Sequence, residues 1–114
     1  DMPIFPDNIK LYKGWFKDSL PKWKKEHQGP IALLHVDSDL YSSCKETLEI
    51  LNDQIVAGTI ITFDELCNFR LTRKLENWYE HEWRALTEWL VQYDRVVEPI
   101  TRNYAYQGAC VVIE

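Results

Sequence analysis

The order of apolar and polar stretches along the chain predicts alternating strands and helices. Residues 31–36 form an almost continuous apolar run that ends at Asp37, and residues 59–63 form a second β-rich run that ends at Asp64. Continuous apolar runs of this length are typical of strands that are buried on both faces of a parallel sheet. Residues 9–13 alternate between apolar and polar side chains, which predicts a further short strand before Gly14.

Helical periodicity fills the intervals between these runs. Apolar residues recur at helical spacing in two stretches, which are Tyr41, Cys44, Leu48, Leu51 and Ile55, and then Leu75, Tyr79, Trp83, Leu86, Leu90 and Tyr93. The first of these helices is expected to start near a capping box of Ser43 and Glu46 and to stop at Gly58. A mostly charged helix is expected from residue 18 or 19 to about residue 27.

Two further strands are predicted at residues 95–98 and 104–113, as an antiparallel pair at an edge of the sheet. The order strand, helix, strand, helix, strand, helix, strand, strand indicates an open α/β sheet, in which right-handed crossovers place the helices on the faces. No repeat, linker or low-complexity segment divides the chain. We therefore expect residues 1–114 to form one domain or part of one.

Composition and charge narrow the classes of partner. The chain has 13 basic and 18 acidic residues and a net charge of −5, which argues against nucleic acid or an anionic membrane surface as the main partner. No apolar run is long enough to span a membrane, and no signal peptide is visible. Cys44, Cys67 and Cys110 lie far apart without a CxxC motif, which indicates neither a disulfide framework nor a zinc site. A reducing cytoplasm is the expected location.

Paired acidic residues follow both apolar strands, with Asp37 and Asp39 after the first and Asp64 and Glu65 after the second. Ligands of open α/β sheets bind outside the carboxyl ends of the strands. Four acids that converge there would repel one another, and a divalent cation with oxygen ligands, such as Mg²⁺ or Mn²⁺, would relieve this repulsion. Each acid alone has a simpler interpretation, as a cap of the following helix or as a solvated loop charge.

Four segments of the chain resemble one enzyme family, in the same order. Residues 35–43 read HVDSDLYSS and residues 58–65 read GTIITFDE, and both are similar to motifs of the macrocin O-methyltransferase (TylF-type) family of class I S-adenosylmethionine-dependent methyltransferases. Residues 14–21, GWFKDSLP, resemble the family's strand-exit segment, and residues 82–86, EWRAL, resemble its late helix. The resemblance implies a Rossmann-like methyltransferase sheet, mostly parallel with an antiparallel C-terminal strand pair. Residues 1–114 would be its C-terminal portion, without the first two strands.

The resemblance also implies a reaction and the residues that perform it. The family transfers a methyl group, with the help of a metal ion, from S-adenosylmethionine to a hydroxyl of a sugar or a related natural product. Asp37, Asp64 and Glu65 match the family's metal-ligand positions, and Asp39 matches a proposed general base. A cation would lower the pKa of the acceptor hydroxyl, and the nearby carboxylate would take its proton.

Contacts to the methyl donor are expected from Gly14 and Phe16 of the strand-exit segment, together with Asp37. His35 is a second catalytic candidate, because it lies two residues before Asp37 and both side chains are expected on the same side of the strand. A hydrogen-bonded buried histidine is the simpler interpretation of His35. The expected partner is a small-molecule hydroxyl acceptor.

The donor site is where this sequence departs most from the family. In the family the donor lies on a Gly-rich loop after the first strand, whereas the four glycines of this chain are isolated and form no GxG motif. The resemblance therefore implies that the chain alone is inactive. It also implies an exposed sheet edge, through which we expect a homodimer or a higher oligomer.

Three alternatives stay open on the sequence. A haloacid-dehalogenase-like phosphatase also has a DxD motif after an apolar strand and uses Mg²⁺, but here Leu40 and Tyr41 follow the motif instead of small residues. A nucleotide-sugar transferase with a metal-binding DxD motif fits the strand context less well. A non-catalytic remnant that dimerises through its sheet edge would keep the fold without binding the donor.

Overall fold

Four strands and three α-helices form the part of the chain that the computed structural model describes, which is residues 6–38, 40–64, 81–102 and 108–114. In chain order the elements are α1 (Phe16–Glu26), β1 (Leu33–Val36), α2 (Tyr41–Leu51), a 3₁₀ turn (Asn52–Gln54), β2 (Ile60–Phe63), α3 (Glu82–Gln92), β3 (Val97–Arg102) and β4 (Gly108–Val112). The predicted order of elements after Gly14 is therefore confirmed over these residues. Among the helices described, none has the length and apolar character needed to cross a membrane.

The four strands form one sheet in the order β1-β2-β4-β3. β1 and β2 are parallel, whereas β4 is antiparallel to both of its neighbours. Within this sheet, β1, β2 and β3 consequently run in one direction and β4 runs in the other. The topology confirms the α/β class and the predicted C-terminal antiparallel pair, with β3 at one edge and β1 at the other.

One face of the sheet carries the hydrophobic core. Alternate residues of a strand point to the same face, and Val36, Ile61, Phe63, Cys110 and Val112 are buried on this one. They belong to one buried cluster with apolar residues of α2 and α3, namely Cys44, Leu48, Leu51, Ala85, Leu86 and Trp89. The apolar stripe predicted for α2 therefore faces the sheet. Of the stripe predicted for the later helix, Leu86 is buried and Trp83, Leu90 and Tyr93 are partly buried against the core, whereas Leu75 and Tyr79 lie outside the described residues.

The opposite face of the sheet is more exposed than the sequence predicts. Leu33 is 62 % exposed and its partner in the register, Ile60, is 37 % exposed. His35, two residues further along β1, is exposed as well. The expectation that residues 31–36 are buried on both faces is therefore wrong, because α2 and α3 both pack against the other face.

Residues 9–13 form no strand, contrary to the prediction from their alternating pattern. Lys10 and Tyr12 bond instead to Glu26 in the last turn of α1, where Lys10 Nζ lies 2.6 Å from Glu26 Oε2. A strand needs a neighbour that satisfies its backbone N–H and C=O groups, and these residues pair with none of the described strands.

α2 starts two residues before the predicted capping box. Leu40 is its N-cap residue, in an extended conformation, and no side chain caps it, so that Ser43 and Glu46 lie inside the helix. The helix passes into the 3₁₀ turn at Asn52 and does not reach Gly58. Gly58 has a φ of +97° in the turn before β2, which makes it a turn residue rather than a helix stop. α1 likewise begins two or three residues earlier than predicted, at Phe16.

A polar network joins the partly exposed sides of α2 and α3 at Glu88. Lys45 Nζ lies 3.2 Å from Glu88 Oε1, Arg84 Nε lies 3.0 Å from Glu88 Oε2, and the Tyr41 hydroxyl donates to the same carboxylate. The hydrogen bond from Tyr41, followed by the one from Arg84, lowers the pKa of Glu88 from 4.5 to about 2. The ionised form of Glu88 is thus favoured by folding.

This network predicts a loss of stability in acid. Because folding lowers the pKa of Glu88, its contribution is complete above the unfolded value of 4.5 and is lost as the pH falls toward about 2. We expect Glu88→Gln to lower the melting temperature at neutral pH. Between pH 4.5 and about pH 2 the melting temperature of this variant should decrease less than that of the unsubstituted chain. Melting curves measured by circular dichroism at several pH values check this. Glu98→Gln, at an exposed position of β3, is the control, and an equally steep fall in both variants would contradict the prediction.

Candidate active site

The parallel pairing of β1 and β2 brings the two acidic strand ends together. Val36 is the last residue of β1 and is in register with Phe63, the last residue of β2. Asp37 and Asp64 follow directly, and the Asp64 N–H donates to the Val36 carbonyl at 2.9 Å. This bond continues the sheet ladder by one step, which places the two aspartates side by side at the carboxyl edge.

His35, Asp37 and Asp64 form a cluster of candidate metal ligands at this edge. One ligand atom from each residue lies within 4.8 Å of the corresponding atoms of the other two. Octahedral Mg²⁺ binds oxygen at about 2.1 Å, so that its ligands are about 3 Å apart when adjacent and about 4 Å apart when opposite. Separations of up to 4.8 Å are near this range, so the two carboxylates offer a candidate position for a divalent cation. Oxygen is also the ligand atom that Mg²⁺ and Mn²⁺ prefer.

His35 is hydrogen-bonded but not buried. It lies on the exposed face of the sheet opposite Thr62, and its Nδ1 is 2.6 Å from Thr62 Oγ1. The sequence-based expectation of a hydrogen-bonded, buried histidine is therefore confirmed for the hydrogen bond, whereas the expected burial is wrong. The Thr62 contact restrains the imidazole ring through Nδ1, and one ring nitrogen lies within 4.8 Å of carboxylate oxygens of Asp37 and Asp64.

Two predicted site residues, Asp39 and Glu65, lie outside the described residues. The general-base role of Asp39 and the metal-ligand role of Glu65 therefore stay predictions. Both are sequence neighbours of the cluster, since Asp39 is two residues after Asp37 and Glu65 directly follows Asp64.

An open cleft of about 620 Å³ lies beside the cluster and contains all three residues predicted to contact the donor, Gly14, Phe16 and Asp37. The volume is within the range of about 300–1,000 Å³ of small-molecule sites. The strand-exit segment forms one wall, and the end of β1 with the start of α2 forms the other. The lining residues are Gly14, Trp15, Phe16, Lys17, Asp37, Ser38, Leu40, Ser42, Ser43 and Glu46.

The cleft combines exposed aromatic rings with carboxylates. Trp15 is 77 % exposed and Phe16 is 39 % exposed, and Asp37 and Glu46 supply negative charge. Aromatic faces and carboxylates suit a ligand that has both a flat ring system and positive charge. Sequence reasoning took Glu46 as part of a helix cap, so its place in the cleft was missed. The available signal was its position five residues after Tyr41, about one and a half turns into α2, the helix that follows Asp37.

Residues 2–97 match the family model of macrocin O-methyltransferase (TylF). The chain belongs to the macrocin O-methyltransferase family. The matched region includes both acidic strand ends and both walls of the cleft. Membership of this family sets aside the phosphatase and the nucleotide-sugar transferase as alternatives.

The relatives of this family member carry the names of O-methyltransferases. A protein of Streptomyces olivaceus, 8-demethyl-8-(2,3-dimethoxy-alpha-L-rhamnosyl)-tetracenomycin-C 4'-O-methyltransferase, is 32 % identical over 62 residues, which are 54 % of this chain and 23 % of that protein. The apo structure of a TDP-rhamnose 3'-O-methyltransferase, an enzyme in calicheamicin biosynthesis, is 26 % identical with a TM-score of 0.64, over 87 % of this chain and 40 % of that one.

A second solved structure shows the same fold at lower identity. The O-methyltransferase NovP has a TM-score of 0.69 and 23 % identity, over 96 % of this chain and 39 % of that chain. The chain thus spans less than half the length of each of these relatives.

The conformation of Gly14 at the mouth of the cleft gives a testable prediction. Gly14 has a φ of +126°, a backbone conformation that residues other than glycine rarely adopt. A Cβ at this position would meet no atom within 4 Å, so a side chain there would cause strain but no clash. We expect Gly14→Ala to lower the free energy of unfolding by about 1–3 kcal/mol through backbone strain alone. Gly29→Ala is the matched control, because Gly29 has equally open surroundings without the unusual φ. Urea denaturation measures both, and equal stability of the two variants would contradict the strain.

Proposed function

We propose that this protein is an S-adenosylmethionine-dependent, divalent-metal-assisted O-methyltransferase that methylates a hydroxyl of a sugar in a natural product. The observation that carries the proposal is the convergence of Asp37 and Asp64, with His35, at the carboxyl edge of the sheet. Family membership supports methyl transfer as the reaction. The cleft that shares Asp37 with the cluster supports a donor beside the metal.

The acceptor class is inferred from the relatives. One relative is named as a methyltransferase of a rhamnosyl tetracenomycin, and one solved structure is named as a TDP-rhamnose methyltransferase. A deoxysugar hydroxyl is therefore the acceptor that we propose, either on a nucleotide or already attached to the natural product. The net charge of −5 supports a small molecule rather than nucleic acid as the partner.

The residues after the two strands have two different roles in the proposed reaction, metal binding and proton acceptance. Asp37 and Asp64, together with Glu65, would hold Mg²⁺ or Mn²⁺, which lowers the pKa of a bound hydroxyl and orients it. Asp39 accepts the hydroxyl proton, and His35 provides a second acceptor at Nε2 in the tautomer whose Nδ1–H donates to Thr62. Asp37 and Asp64 directly follow β1 and β2, and the pairing of these two strands keeps the two carboxylates in place during the reaction.

The cleft would hold S-adenosylmethionine, whose sulfonium carries the methyl group. Phe16 offers an aromatic face, Gly14 lets the backbone turn close to the ligand, and Asp37 offers a carboxylate to its positive charge. Because Asp37 belongs to both the cleft and the cluster, it fixes the donor and the acceptor relative to each other. Positioning of this kind supplies much of the rate enhancement in a displacement reaction.

The metal site is tested by calorimetric titration of Mn²⁺ into the folded chain. We expect saturable binding, which Asp64→Asn abolishes because it removes a charged ligand from the cluster. Asp94→Asn is the control: this exposed residue has a φ of +52°, which asparagine tolerates, and it precedes β3 at the opposite end of the sheet. Binding that survives in Asp64→Asn would contradict the site. No binding by a chain shown to be folded would favour the non-catalytic alternative.

Inactivity of the isolated chain and self-association are part of the same proposal. β1 pairs with β2 and has no second partner among the described strands, so one row of its backbone groups is open to another copy of the chain.

A cytoplasmic location is consistent with Cys44 and Cys110, which are free and buried.

Self-association through β1 predicts a concentration-dependent mass. We expect sedimentation velocity to show dimers or larger species. Leu33→Lys should shift these species toward the monomer, because Leu33 is 62 % exposed on the open edge strand and a charged side chain there opposes strand pairing. Val91→Lys is the control, since Val91 is 83 % exposed on α3 and away from the sheet edge. A monomer at all concentrations would refute the pairing.

A further inference from the structure

Glu82 is a buried carboxylate that the proposed chemistry does not use. It is the first residue of α3 and 0 % exposed, and no other acidic side chain is buried among the described residues. Burial of a carboxylate is costly unless hydrogen-bond donors or positive charge compensate it. The start of α3 supplies a favourable helix dipole, but this alone does not account for an acid in a core position.

The Glu82 carboxylate reaches the loop that carries Asp37. Its Oε2 lies 3.4 Å from the backbone nitrogen of Ser38 and 3.4 Å from Ser38 Oγ, and both groups donate to it. Asp37 directs its carboxylate toward Asp64. Successive side chains of an extended segment point to opposite sides, so Ser38 is turned toward the helix layer where Glu82 lies.

A neighbouring thiol does not compensate the charge of Glu82, whereas Ser38 donates hydrogen bonds to it. Cys44 of α2 lies close enough for the charge of Glu82 to raise the pKa of its thiol, which reaches about 12 mainly because of burial. A thiol with this pKa stays neutral and cannot balance the carboxylate. The Ser38 N–H and hydroxyl are therefore among the groups that stabilise the buried charge.

We infer that Glu82 is a positioning residue that fixes the backbone at Ser38 and thereby aims the Asp37 carboxylate at the metal position. The inference rests on the proposed function, because it assigns Glu82 a role toward the same metal. Groups that orient metal ligands typically contribute about 10- to 100-fold to metal affinity. α3 thus connects the core to the site through one carboxylate.

Two substitutions at Glu82 separate positioning from simple packing. Glu82→Met keeps a similar length but accepts no hydrogen bond, and we expect it to weaken Mn²⁺ binding by about 10-fold or more. Glu82→Gln keeps an oxygen that accepts from Ser38, and we expect it to restore most of the affinity. Glu88→Gln, on the same helix, is the control and should bind Mn²⁺ as the unsubstituted chain does. Calorimetry gives the affinities, and hydrogen exchange of the Ser38 amide by NMR reports the hydrogen bond without metal.

Each outcome decides the inference. Faster Ser38 exchange together with weaker Mn²⁺ binding in Glu82→Met, and recovery in Glu82→Gln, supports positioning. Unchanged affinity in Glu82→Met, while the unsubstituted chain binds Mn²⁺, overturns the inference and leaves the proposed function intact. Absence of binding by the unsubstituted chain overturns the metal site itself, and the inference with it. If Glu82→Met does not fold, Ser38→Ala removes one donor from the other side and should weaken binding in the same direction.

Discussion

The in-register parallel pairing of β1 and β2 is the constraint on which the site depends. It aligns Val36 with Phe63, and the bond from the Asp64 N–H to the Val36 carbonyl carries this alignment one residue beyond the strands. The aspartates meet because each is the first residue after its strand. α2 connects the two strands and packs on the core face, so the connection that makes them parallel also stabilises them.

The hydrophobic core and the exposed His35–Thr62 pair lie on opposite sides of this sheet. The side that packs on α2 and α3 contains Val36, Ile61 and Phe63, which exclude water and hold the strands. The other side carries His35 and Thr62, which are accessible to a ligand. Glu82 crosses this division, since it is buried with the core and bonds to the loop that carries Asp37. The helix layer therefore acts on the site through a hydrogen bond as well as through packing.

Much of this arrangement could be predicted from the sequence, because its signals are local. The apolar runs before Asp37 and Asp64 indicated parallel strands, and the position of each acid directly after a run indicated one shared edge. The exposure of Leu33 and Ile60 could not be predicted in the same way. A strand with a continuous apolar sequence can lie in a sheet that is covered by helices on one face or on both. The strand predicted at residues 9–13 was wrong for a related reason. An alternating pattern is typical of a strand, but it does not show whether another strand lies beside it to pair with.

Because side chains alternate along a strand, the geometry of the site restricts insertions and deletions more than substitutions. A single residue added to β1 or β2 would turn its aspartate from the exposed face toward the core and separate it from its partner. The turn at Gly58 lies outside this restriction, since a longer connection leaves the register of both strands unchanged. We therefore expect length variation among family members to occur in the connections, and the strands that precede the two acids to keep a constant length.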